Sequence, residues 1–193
     1  MKRIINGGVV VVDDVKYRVW GNSKTKRLYE PILMKLHHQA SAMLSHHCKI
    51  LVIRFDLPMA EYSPSNAVIS ELMRVMVKQL KHHYKMQRVG YAWVREQASS
   101  DKQHYHCALM LDANKVRQPK KVIERFERIT DTRNQLAPYI PKNCYYNIGR
   151  NDLTAYSAAL YRLSYLAKVE TKGMRPNPTN DYSTSRIKPK ETI

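Results

Sequence analysis

Two short motifs in this 193-residue chain carry residue types that can do chemistry together. The first is His104-Tyr105-His106. On a strand, alternate side chains share a face, so the two imidazoles point the same way, about 7 Å apart, and can close on one metal ion. The other six of the eight histidines are adjacent pairs (His37-His38, His46-His47, His82-His83) in segments of helical pattern. Helical neighbours diverge by roughly 100°, so those pairs are poor chelates. The second motif is Tyr161, Tyr165, Lys168 and Lys172, whose spacing stacks two phenols and two ammonium groups on one helical face. A phenol with its ordinary pKa of about 10 is a weak nucleophile at neutral pH. A lysine one turn away favours the phenolate and the negative charge of a phosphate, and a divalent ion can polarise that phosphate. The combination is a phosphoryl-transfer site in which tyrosine, not water, attacks first. The plainer alternatives are two surface histidines, and an amphipathic helix with solvated lysines and half-buried tyrosines.

Two acids could complete the set. Glu96 ends the strand before His104, and a hairpin pairing it with His104 or His106 would bring its carboxylate to the same space. A slip of one residue would turn it away. Asp56 is a further candidate; its alternative role is an ion pair with a Lys or Arg.

Hydrophobic periodicity supplies the elements that must hold these groups. Gly8 to Val15 reads as a strand entering a turn. Pro31 suits a first helical turn, and Leu33, Leu36, Ala40, Met43 and Leu44 continue at helical spacing to about His47. Ile50 to Leu57 is a strand with Leu51, Ile53, Phe55 and Leu57 on one face and Arg54 and Asp56 on the other. Ser63-Pro64 opens a helix carrying Val68, Leu72, Met76 and Leu80, ending near Tyr84. Val89 to Gln97 and His104 to Leu111 form a hairpin across the polar turn Ala98 to Gln103. Pro119 opens a helix with Val122, Phe126 and Ile129, and Cys144 to Ile148 is a short strand. Asn151-Asp152 caps a last helix from Leu153 to about Lys172, with Gly173 at its end. Its core stripe is Leu153, Tyr156, Leu160, Leu163 and Ala167. The order β-α-β-β-α-β predicts an α+β, ferredoxin-like split βαβ sheet, antiparallel, with helices on one face and the other face open to a partner. A C-terminal tyrosine-bearing helix follows.

Composition points to the partner. Lys and Arg number 33 against 16 Asp and Glu, a net charge of +17. Such an excess fits a polyanion, nucleic acid or an acidic membrane surface. No apolar run approaches the ~20 residues of a membrane span, and the first residues lack the apolar stretch of a signal peptide. Three cysteines without paired spacing fit a reducing compartment. There is no G-x-x-x-x-G-K-[ST] loop, which argues against a P-loop ATPase. The expectation is a soluble, intracellular protein with no membrane partner.

Taken in order, the motifs resemble those of the HUH endonucleases. Ile50 to Leu57 looks like their first motif strand, His104-Tyr105-His106 like their His-hydrophobe-His motif, and Tyr165-Leu-Ala-Lys168 like their Y-x-x-K motif. Tyr161 with Tyr165 also resembles the two-tyrosine form of rolling-circle phage initiators. Trp93 to Leu111 and Leu163 to Lys172 look more narrowly like the YagK/YfjJ-type proteins of inoviruses, prophages and mobile elements.

The resemblance implies a DNA endonuclease and strand transferase that nicks and joins single-stranded DNA at an origin, linking a tyrosine to the 5′ phosphate and starting rolling-circle replication. By it, Tyr165 is the nucleophile, Lys168 the neighbouring cation, and Tyr161 a second nucleophile or a packing residue. His104 and His106, with Glu96 inferred from the hairpin, would hold Mn²⁺ or Mg²⁺, and Arg54 and Lys172 would contact DNA. The implied partners are a single-stranded origin, with a hairpin as one form, and a host helicase and polymerase, since no helicase domain follows. Domains then read as an N-terminal arm and helix (1–48), an HUH-like nicking domain (49–173) and a flexible basic tail (174–193). The tyrosine follows the His motif, as in initiators and single-tyrosine transposases; mobilisation relaxases usually reverse that order. A transposase, a non-catalytic basic ferredoxin-like module binding DNA or RNA, and a water-using metal nuclease are the alternatives.

Overall fold

The computed structural model of the chain describes residues 3–22, 26–97, 101–170, 172–173 and 176–191. Near the N-terminus β1 (Ile4–Asn6) pairs with β4 (Arg27–Tyr29), and between them β2 (Gly8–Val12) and β3 (Val15–Val19) form a hairpin. Asp13 and Asp14 take φ of 49° and 61°, the left-handed pair that a two-residue turn needs and short acidic side chains tolerate. Helix α1 (Glu30–His46) follows, with Pro31 in its first turn and Leu33, Leu36, Ala40, Met43 and Leu44 buried, as their spacing predicts.

The next six elements are β5 (Lys49–Pro58), α2 (Ala67–His83), β6 (Gly90–Glu96), β7 (His104–Asp112), α3 (Lys120–Asp131) and β8 (Tyr145–Gly149). They pair in the order β8-β5-β7-β6, every pair antiparallel, which is the ferredoxin-like arrangement of a split βαβ repeat. Helix α2 starts three residues after the expected Ser63-Pro64. Ala98 to Ser100 of the connecting turn lie outside the described residues.

The sheet departs from expectation in being covered on both faces. Leu51, Ile53, Phe55 and Leu57 pack with Leu72, Met76, Val122 and Phe126 of α2 and α3. On the other face Ile50, Val52, Ala92, Val94, Ala108 and Met110 pack with Leu36, Met43, Leu160 and Leu163. Those partners come from α1 and from α4 (Leu153–Ser164). So α1 is part of the core, and the face expected to be open is covered; at one strand end its character changes. There, apolar residues give way to Arg54 and Asp56 on β5, Glu96 on β6, and His104 and His106 on β7.

Helix α4 is capped by Asp152, whose side chain accepts from the Ala155 amide at 2.9 Å. It ends earlier than its periodicity suggests, at Ser164, and passes into a 3₁₀ turn, Tyr165–Ala167. Ser164 Oγ donates to the Tyr161 carbonyl (2.7 Å) and accepts from the Trp20 amide (2.7 Å), tying the helix end to the hairpin strand. Leu153, expected in the core, is 60% exposed on the first helical turn.

The expected flexible tail instead supplies β9 (Tyr182–Thr184), which extends the sheet beyond β6. Ser185 Oγ donates to Gln39 Oε1 on α1 at 2.6 Å. Residues 174–175 and 192–193 of that segment lie outside the described residues. No helix among the described residues is long and apolar enough to cross a membrane.

Under the hairpin, buried His37 lies 2.9 Å from Tyr156 Oη through Nδ1, with Asp13 and Ser41 near Nε2 at 3.6 Å and 3.5 Å. Burial pulls this imidazole below its ordinary value and the neighbouring His38 adds to the effect, while Asp13 opposes it. The unfolded chain therefore takes up the proton first as pH falls below ~6.5, and the stability His37 contributes is full above that pH and lost beneath it. The fall in melting temperature from about pH 7 to 5 should be smaller in His37→Gln than in the parent. An unchanged fall would exclude this source.

Candidate active site

Register decides which side chains meet. Glu96 lies directly opposite His104, and Asp56 directly opposite His106. The hairpin thus adopts the pairing that brings the acid to the histidines. Glu96 Oε2 lies 3.1 Å from His106 Nε2 and 3.6 Å from His104 Nε2. On its other side His106 Nδ1 donates to Asp56 Oδ1 at 2.6 Å. Asp56 is therefore the group that orients His106, and Arg54 Nη2 lies 3.4 Å from both its oxygens.

The 3₁₀ turn brings the second motif in from above. Tyr165 lies edge-on to His106 with ring centroids 5.3 Å apart, and to Trp20 at 5.3 Å. The Arg54 guanidinium sits over its ring at 4.7 Å. Lys168 Nζ donates to Tyr165 Oη at 2.9 Å and to Glu96 Oε2 at 2.8 Å. Lys172 Nζ donates to Glu96 Oε1 at 2.9 Å and to the Lys168 carbonyl at 2.6 Å. One continuous chain of contacts runs Asp56–His106–Glu96–Lys168–Tyr165.

The expected stripe is split by the end of the helix. Tyr165, Lys168 and Lys172 turn inward to Glu96, while Tyr161 stays on the outer surface under Arg18, whose Cζ lies 5.4 Å from its ring. The two residues assigned to DNA contact are also placed differently. Arg54 is 6% exposed, and the Lys172 side chain is fully buried against Glu96. Neither is a free phosphate contact; both hold the site together. Trp20 and Arg18 join from the hairpin, and no local signal in the sequence marks them.

The charges explain how a buried acid survives here. Burial pushes the Glu96 carboxyl up, but the hydrogen bonds of His104 and His106 and the charges of His106 and Lys172 outweigh it and hold it far below the carboxylate range. Burial likewise lowers His106, but Asp56 and Glu96 more than offset this and leave it above its ordinary value. Lys168 is raised, since Glu96 and Tyr165 overcome its burial; for Lys172 burial wins and its value falls. Glu96 is bridged by Lys168 and Lys172, Asp56 is paired with Arg54, and Asp181 adds a further negative charge near Lys172. Lys168 and Arg54 place positive charge directly against Tyr165, which suits an anion there.

The donor set also suits a divalent cation. Glu96, His104 and His106 each offer one ligand atom, all within 4.8 Å of one another. Two imidazoles and a carboxylate accommodate Mn²⁺ comfortably and Mg²⁺ less so. Asp56 on Nδ1 leaves Nε2 of His106 as the liganding nitrogen, the usual way a carboxylate fixes a metal-binding histidine. Asp56→Asn is expected to weaken Mn²⁺ binding about 10- to 100-fold, because an amide can present a donor to Nδ1. Calorimetric titration checks this, and undiminished affinity would remove Asp56 from the role.

Among known families, residues 17–180 match the model of the YagK/YfjJ C-terminal domain. No curated protein and no solved structure matches the chain.

Proposed function

The chain belongs to the YagK/YfjJ C-terminal domain family, and from that premise and the site geometry we propose that it is a metal-dependent enzyme of the HUH type that nicks and joins single-stranded DNA. The observation that carries this reading is the Tyr165–Lys168–Glu96–His106 contact chain, which joins a phenol to a metal-capable cluster.

Tyr165 Oη attacks the phosphorus of a phosphodiester. A bond forms between that oxygen and phosphorus, and the bond to the 3′ oxygen breaks. The phenolic proton leaves to solvent, the 3′ oxygen takes up a proton, and the 5′ phosphate stays on Tyr165. Lys168, hydrogen-bonded to Oη, favours the phenolate as its proton departs. Arg54 over the ring adds a second fixed positive charge. Lys172 keeps Glu96 ionised and in place. A divalent ion held by Glu96, His104 and His106 would supply Lewis-acid polarisation of the phosphate. Attack by a 3′ hydroxyl on the phosphotyrosine reverses the step, so joining needs no external energy source. A free 3′ hydroxyl primes synthesis, and initiation of rolling-circle replication of a phage or mobile element is the biological role that fits. A single-stranded origin and a host helicase and polymerase are then its partners.

Incubation with labelled single-stranded oligonucleotides of the element and Mn²⁺, read on a denaturing gel, tests the proposal. A DNA-linked protein band that a chelator abolishes is the expected result. Cleavage without a linked band would instead mean a water-using nuclease, and binding with neither a non-catalytic DNA-binding module.

A further inference from the structure

Outside the site lies an open groove of about 630 Å³ between the hairpin, β8 and α4, lined by Arg18, Tyr146, Thr154, Ser157, Ala158 and Tyr161 among others. That volume is within the range of small-molecule pockets. We infer that it is a nucleobase subsite, in which Tyr161 stacks on one base of the single strand whose phosphate lies at Tyr165. This deepens the proposed function and rests on it.

Four observations carry it. Tyr161 is 36% exposed, beside small and hydroxyl-bearing neighbours: Ala158 leaves room for a flat ring, and Thr154 and Ser157 offer hydrogen bonds to base edges. The Arg18 guanidinium lies 5.4 Å from the Tyr161 ring, where it can reach a phosphate or extend the stack; arginine beside aromatic rings is the common chemistry of single-strand binding. Two of the three elements that build the groove, the hairpin side and α4, also lead to the nucleophile. Tyr161 precedes Tyr165 by about 6 Å of helix rise, and Trp20, two residues beyond Arg18, packs on Tyr165. Along the helix axis that rise corresponds to one or two nucleotide steps at ~3.4 Å per strand. Lastly, a net charge of +17 favours a polyanion over a neutral ligand. Tyr161 is thereby a recognition residue on the outer face rather than a second nucleophile.

The test uses binding alone, without metal ion, so that it stands apart from nicking. The probes are an oligo(dT) of about 20 nucleotides, longer than one single-strand site, and an abasic strand of equal length and charge. Tyr161→Leu should lose about 5- to 100-fold in affinity for oligo(dT) and nothing for the abasic strand. Tyr161→Phe, which keeps the ring, should bind both as the parent does. Arg18→Ala should weaken both and lower the salt slope by about one. Unchanged oligo(dT) binding by Tyr161→Leu would overturn the subsite, as would an equal loss on both probes, which circular dichroism separates from unfolding. If the base subsite holds and no nicking occurs, the proposed function fails while this inference survives as a single-strand binding feature.

Discussion

Glu96→Ala is expected to cost about 3–5 kcal/mol of folding stability, the penalty of leaving buried charges without their partner. Glu96 and Lys172 side chains are both fully buried, and that of Lys168 is 11% exposed. Removing the carboxylate leaves two ammonium groups facing each other in a space water barely reaches. A domain of this size holds about 5–15 kcal/mol in all, so the loss is a fifth of the total or more. Glu96→Gln keeps the shape and an acceptor but not the charge, and should fall between the parent and Glu96→Ala. Lys172→Met should cost less than Glu96→Ala, because Lys168 and His106 still neutralise the acid. Urea denaturation at neutral pH ranks the three. A Glu96→Ala protein within about 1 kcal/mol of the parent, the scale of an exposed ion pair, would mean that the lysines reach solvent and the cluster is looser than the geometry describes.

Tyr165→Phe is expected to abolish the DNA-linked band and to lower cleavage by at least about 10³-fold, the scale on which catalytic nucleophiles are lost. The ring, its contact with Trp20 and the cation over its face all survive the substitution; only Oη and its bond to Lys168 go. Single-strand affinity and Mn²⁺ binding should therefore stay within about twofold, well under the tenfold that 1.4 kcal/mol would represent. Lys168→Met separates the two roles of the cation. It should slow adduct formation while leaving Tyr165 in place, because the charge beside Oη goes but the ring contacts stay. Persistent cleavage by Tyr165→Phe would remove Tyr165 from the reaction.

Much of this was legible in short-range pattern. The alternation in Ile50 to Leu57 and the His104 motif place their strands, and the helix-strand order yields the split βαβ sheet, because both depend on neighbours in sequence. The signal for the second covered face was also present. Ile50, Val52, Ala108 and Met110 are apolar on the side read as open, and a strand apolar on both faces belongs to a sheet buried on both. Periodicity shows that α1 has an apolar face but not which surface that face meets. The early end of α4 carries no Gly or Pro; it follows from the hairpin amide that Ser164 accepts, a contact between residues far apart in the chain. Lys172 as the counter-ion of Glu96, Arg54 as the cation over Tyr165, and Trp20 beside it are likewise long-range facts. The Glu96–His104 register was open in the sequence because the polar turn does not fix its own length, and strand pairing settles it.

The most direct test of the account is the identity of the DNA-linked residue. The linked protein, digested with nuclease and then protease, is read by mass spectrometry for peptides that keep a nucleotide. The account predicts the added mass on Tyr165. Nucleotide mass on Tyr161, or on no tyrosine while the strand is cleaved, would contradict it.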